Sequence, residues 1–214
     1  MKIRPPTIPR TLSSIDDLKK TLLEDKLLEG VEVTDGDVSE VKFKTVRITD
    51  CRLQTVDFLQ THFEKLTVSD TIFKRCSLIA CDFGDSDWSY VQLTGNQCSG
   101  AQFQVAAMKD VVFDDCKLDL TNFRSASLTN VRFENCTFND TDFYGAKLTN
   151  VAFADCRIDK IEFSTAELKN VDLTSSQIGI LQGMESMKGA KISSIQLASL
   201  APYFAQALGI EVEN

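Results

Sequence analysis

The chain has 214 residues, 43% of them hydrophobic and 25% charged, with a formal net charge of −8. That length suits one domain or at most two small ones, and the apolar share excludes wholesale disorder. No run approaches the ~18 to 20 apolar residues of a membrane span, the opening Met-Lys-Ile-Arg-Pro-Pro lacks the apolar stretch of a secretory signal, and an acidic chain is poorly suited to phosphate contacts.

In chain order, residues 1–30 read as an extended Pro-Pro-Thr-Ile-Pro segment lying along whatever follows, then a cap helix over 13–29. Ser13 or Ser14 serves as N-cap, Asp16 and Asp17 complement the dipole, and Ile15, Leu18, Leu22 and Leu23 form the apolar stripe. Gly30 ends it.

A repeat fills residues 31–180. Every residue whose number ends in 3 or 8, from Val33 to Ile178, is apolar: 30 positions in an unbroken run, with 13 of the 14 Phe among them. At the overall apolar frequency such a run has a chance of about 10⁻¹¹. Two places earlier the residues are small or β-branched, and six of the seven Cys stand there: Cys51, Cys76, Cys81, Cys116, Cys136 and Cys156. Neither the strand period of 2 nor the helix period of 3.6 produces a five-residue unit. It implies a short extended piece with two inward side chains and a turn, stacked on its copies to bury the inward rows.

The columns sort further at twenty. Phe43, Phe63, Phe83, Phe103, Phe123, Phe143 and Phe163 form one, and Val91, Val111, Val131, Val151 and Val171 another. Four fives per twenty mean a square coil of seven and a half rungs, roughly 36 Å long at ~4.8 Å per rung. Asp50, Asp70, Asp110, Asn130, Asn150 and Asn170 stack at one corner, with Tyr90 as the exception, and read as a turn-stabilising ladder. The pattern is roughest over 84–100, where Trp88 is oversized, Asn96 and Cys98 break their columns, and Gly95 and Gly100 flank them. A strained or kinked rung is expected there.

Residues 181–214 read as a C-terminal cap: a helix over 193–208, broken at Pro202, with Leu197, Leu200, Phe204 and Leu208 on one stripe, then Ile210-Glu211-Val212 alternating like a short strand.

Phe or Leu at the centre of each five, with Ala, Cys, Val or Thr two before it, resembles the pentapeptide-repeat family. Asp37, Asp57, Asp82, Asp87, Asp142 and Asp172 also hold the family's Asp place. The resemblance implies an all-β solenoid, a right-handed quadrilateral parallel β-helix. The ending Leu208-Gly209-Ile210-Glu211-Val212 looks like that of Qnr and MfpA-type members. It implies a homodimer through the C-terminus, with Leu197, Leu200, Tyr203, Phe204, Leu208 and Ile210 as the interface; the alternative is that the stripe only seals the last rung. The same members occupy the DNA groove of gyrase and topoisomerase IV by mimicking duplex DNA.

The charge fits such a role in sign. Residues 31–178 carry the whole −8, split −3, −3, −1 and −1 over the four faces from the one holding Val33. Asp114, Asp115, Asp119, Glu134, Asp140, Asp155 and Asp159 form the densest patch, partly neutralised by Lys117, Arg132 and Arg157. Duplex DNA of this length would carry about 21 charges, so the mimicry is dilute, and solubility accounts for −8 equally well. No insertion breaks the register, so the loops by which many Qnr proteins touch their target are absent from the pattern.

Catalysis is not expected, because a filled coil offers no concavity for convergent groups. His62, the only His, should point outward, and the cysteines should behave as small core hydrophobes rather than metal ligands. No cofactor and no metal are implied. Free core cysteines point to a reducing cytoplasm. Two functions stay open: a DNA mimic that binds type II topoisomerase and alters its response to quinolones or toxins, or an interaction scaffold for an unrelated partner.

Overall fold

Most five-residue units turn the chain through a corner because their last residue takes a left-handed backbone. The structure, a computed structural model, describes residues 2–211. From Asp35 to Asn170 every non-glycine residue with positive φ has a number ending in 0 or 5. Asn and Asp enter this region at lower cost than other side chains, which explains their frequency at those places. Between corners the chain is extended and pairs in parallel with the segment twenty residues on: Phe43 lies beside Phe63, Val68 beside Trp88 and Leu128 beside Leu148. The result is a parallel β-solenoid of about 8 turns, closed by a helix at each end.

The interior is a set of stacked columns. In the Phe43 column, ring centroids lie 4.7–5.6 Å apart from Phe43 through Phe163. Phe113, Phe133 and Phe153 stack in a second column at 5.0 Å, edge-on to the first. Such pairs add ~0.5–1.5 kcal/mol each beyond their burial.

The small positions also work as donors. In three columns the side chain donates to the carbonyl of the large residue 23 places earlier: Cys51 to Leu28, Thr61 to Val38, Cys81 to Phe58, Cys136 to Phe113, Ser176 to Phe153. Cys, Thr and Ser are small enough for the site and carry a proton for an interior carbonyl, which costs free energy if unmet.

Four expectations change. The N-terminal helix α1 is shorter, Leu18–Glu24, with Asp17 as N-cap in place of Ser13 or Ser14. Leu18 and Leu22 are buried, but Leu23 is exposed. Leu27–Glu29 already pairs with Lys42–Thr49, and Gly30 is a corner of the coil rather than a helix stop. The pattern extended this far: Leu28 also stands at a number ending in 8.

The rung over 84–100 is neither kinked nor out of register. Asn96 is fully buried, accepts the Cys76 N–H at 2.7 Å and donates to the Phe73 carbonyl at 3.1 Å, doing with an amide what Cys does elsewhere in its column. Trp88 donates its indole N–H to Ser86 Oγ at 2.8 Å, and Ser86 in turn donates to the Phe83 carbonyl.

At the far end the ladder runs on past residue 180 through Gln177–Gln182 and Ala190–Lys191. Val171 pairs with Ala190, nineteen residues on, so the last turn is one residue short. The C-terminal helix α2, Ser194–Ala207, passes through Pro202 unbroken, with a capping box of Ser193 and Gln196. Tertiary packing of α2 on the rod outweighs the one hydrogen bond that Pro202 forgoes. Ile210 and Glu211 are irregular, and Val212, the end of the expected strand, lies outside the described residues.

Candidate protein-binding surface

The coil's inward rows are filled, so any function is carried by outward side chains. Among the described residues no group of three His, Cys, Asp or Glu is placed to hold a metal ion, and no helix is long and apolar enough to cross a membrane. All seven cysteines are buried and free. Burial pushes the thiols of Cys51 and Cys76 up to about 11 and that of Cys81 up to about 12. These groups stay protonated and unreactive at neutral pH, since the thiolate is the nucleophile. His62 does point outward, but it is paired: its Nδ1 lies 2.7 Å from Asp82 Oδ2, one rung along the same column.

The seven acids of the expected patch sit on two adjoining faces, with Asp114 in direct register beside Glu134. The structure divides them. Asp119 pairs with Lys117 at 3.5 Å, Glu134 with Arg132 at 3.0 Å, Asp159 with Arg157 at 3.0 Å, and Asp140 with Lys160. Lys160 is the cation that sequence reading overlooked, although it stands twenty residues from Asp140 and therefore above it in the stack. Asp114, Asp115 and Asp155 have no ion pair among the described residues. Asp114 instead accepts from Asn135 Nδ2 at 3.3 Å.

The six residues expected at a dimer contact also divide. Leu200 is 1% exposed and Phe204 is half-buried against the core, so these two seal the last rung. Leu200 is therefore removed from any outward contact face. Leu197, Tyr203, Leu208 and Ile210 are exposed, and Ile195 joins them at 79%. Sequence reading missed Gln196, which ends the ladder. Its Nε2 donates to the carbonyls of Leu173 at 2.7 Å and Ser176 at 2.6 Å. The signal was present, because Gln196 stands twenty beyond Ser176 and 23 beyond Leu173, where a further rung would place its donor.

A rod of five-residue units stacked at twenty defines a parallel β-solenoid repeat protein. The family described as "Pentapeptide repeat region" matches residues 91–163 and 126–198, and the chain belongs to the pentapeptide-repeat family. No curated protein matches it in sequence. Solved structures of similar fold include a trypsin-treated form of QnrB1, a plasmid-mediated fluoroquinolone resistance protein, at 20% identity over 94% of this chain and 95% of that one, with a TM-score of 0.39. They also include HetL, involved in heterocyst differentiation regulation in the cyanobacterium Nostoc sp. strain PCC 7120, at 12% identity over 78% and 90%, TM-score 0.35. Rfr23 from the cyanobacterium Cyanothece 51142 follows at 11% identity over 55% and 88%, TM-score 0.35.

Proposed function

We propose that the protein is a non-catalytic, cytoplasmic binding rod whose acidic surface mimics duplex DNA and docks in the basic DNA groove of a type II topoisomerase, gyrase or topoisomerase IV, altering its response to quinolones or toxins. The observation that supports this reading is the set of acids without an ion pair among the described residues, Asp114, Asp115 and Asp155, carried on one face of an unbroken rod. A basic groove attracts such a rod over a distance of about a Debye length, so complementarity of charge acts first on the rate of encounter. A dimer through the outward face of α2 doubles the length of rod on offer.

The test is a supercoiling assay with purified protein. Inhibition of gyrase, or protection of gyrase from a quinolone, is expected at micromolar concentration. The effect should weaken as salt rises and fall at least tenfold in the combined Asp114→Asn, Asp115→Asn, Asp155→Asn variant. No effect at micromolar concentration overturns the reading.

One observation favours a second reading, a scaffold for an unrelated protein. Four cations among the seven acids leave the patch at −3, far below the charge density of DNA. A pull-down enriched in another protein and free of topoisomerase supports the scaffold.

A further inference from the structure

The N-terminal arm, residues 2–10, is attached to the rod in a manner that the proposed function does not use. It runs along the corner occupied by Asp50, Asp70, Tyr90 and Asp110. The Thr7 N–H donates to Asp70 Oδ1 at 2.8 Å, and the Arg4 N–H donates to Asp110 Oδ1 at 3.1 Å. Between them the Arg4 guanidinium lies 4.2 Å from the centroid of the Tyr90 ring. Asp110 is 7% exposed beneath the arm.

The spacing explains the fit. Asp70 and Asp110 are two rungs apart, about 9.6 Å. Three residues of polyproline II rise ~9.3 Å, so Thr7 and Arg4 meet successive carboxylates without strain on either partner. Pro5, Pro6 and Pro9 hold the arm extended before it docks, which lowers the entropy lost on docking. Tyr90, the one residue out of pattern in an otherwise Asx corner, supplies an aromatic face for the cation. Beyond the arm the same corner continues as a chain of amides, with Asn170 donating to Asn150 at 2.9 Å, Asn150 to Asn130 at 3.2 Å and Asn130 to Asp110 at 3.4 Å.

The attachment is also light. Residues 2–10 pair with no strand, and only Ile3, Pro6 and Ile8 are even half-buried. Segments with few buried contacts open at little cost in free energy. Between Asp70 and the attachment of Ser13 to Gly30, burial and the neighbouring Asp70 and Glu29 charges push the Asp50 carboxyl above its usual range.

We propose that the Asp70–Tyr90–Asp110 corner is a recognition track for an extended, cationic Arg-Pro segment of a partner protein, and that residues 2–10 occupy it in cis as a competitor. The site is distinct from the acidic patch and stands whether or not a topoisomerase is bound. A tethered arm competes at an effective concentration on the order of mM, so a free segment gains access only when the arm is released.

The test uses the full chain and a fluorescent peptide, Lys-Ile-Arg-Pro-Pro-Thr-Ile-Pro-Arg. The double variant Arg4→Ala, Thr7→Pro frees the arm by removing the guanidinium and one N–H donor. Fluorescence anisotropy should show saturable binding to that variant at least tenfold tighter than to the wild type. Adding Tyr90→Asn or Asp110→Asn, residue types that the corner already carries at Asn130, should weaken it at least tenfold while circular dichroism stays unchanged. The proposal is overturned by no saturable binding to the arm-released chain, by equal binding of a scrambled peptide, or by unchanged binding after Tyr90→Asn. A wild-type dimer that Arg4→Ala, Thr7→Pro abolishes assigns the track to the arm of a second copy and overturns it as well.

Discussion

At the residue scale, the corners decide which side chains the fold tolerates. A left-handed backbone costs an L-residue ~1–2 kcal/mol unless the side chain is Asn, Asp or Gly. Val105 holds φ 62° and Leu120 φ 57°, both at exposed corners, 58% and 63% exposed, where they gain little packing in return. Val105 is β-branched, which makes its position the more costly of the two. Val105→Asn should therefore stabilise the protein by about 1 kcal/mol, read as a higher urea midpoint at unchanged slope. A lower midpoint would mean that Val105 makes a contact that outweighs its backbone.

At the element scale, the last turn is the irregular one. It is one residue short, and Gly183 and Gly189 bring it close to the rung below. A Cβ on Gly183 would overlap the backbone of Phe163 and Ser164, and its φ is 78°. Gly183→Ala should cost roughly 2 kcal/mol or more, since strain and overlap act together. Hydrogen exchange checks this, with faster exchange expected at Gln177–Gln182 and α2 and little change at Ser127–Glu134 in the middle of the rod. Repeat coils couple mainly to their neighbours, so damage to one end stays local. The N-terminal end, by contrast, was legible one step further than the helix pattern suggested, because Leu28 already obeys the five-residue rule.

At the scale of the whole molecule, the proposed contacts draw on two sets of exposed residues: the apolar ones of α2 and the acidic ones of the rod. Leu197, Tyr203, Leu208 and Ile210, and also Ile195, are apolar residues left exposed on and just after α2, while Leu200, Phe204 and Gln196 are committed to sealing the coil. In the proposed dimer these side chains would meet a second copy across a two-fold axis and be buried by it. Light scattering should give twice 23.8 kDa, reduced to the single mass by Leu197→Glu with Leu208→Glu. A wild-type mass near 24 kDa at high concentration overturns the dimer.

The coil and the order of its inward columns were legible from residues alone, whereas its two ends were not. Stacking forces every inward position to meet its own kind twenty places on, so the periods of five and twenty encode the core directly. Outward residues carry no such constraint. The twenty-residue rule makes Lys160 and Asp140, or Asp82 and His62, neighbours, but only the folded rod shows that their side chains meet, and Arg4 over Tyr90 follows from no such rule. The same holds for the ends. Gln196 continues a column by number, but only the packing of α2 on the last rung shows that its amide replaces the donor of a rung that never forms.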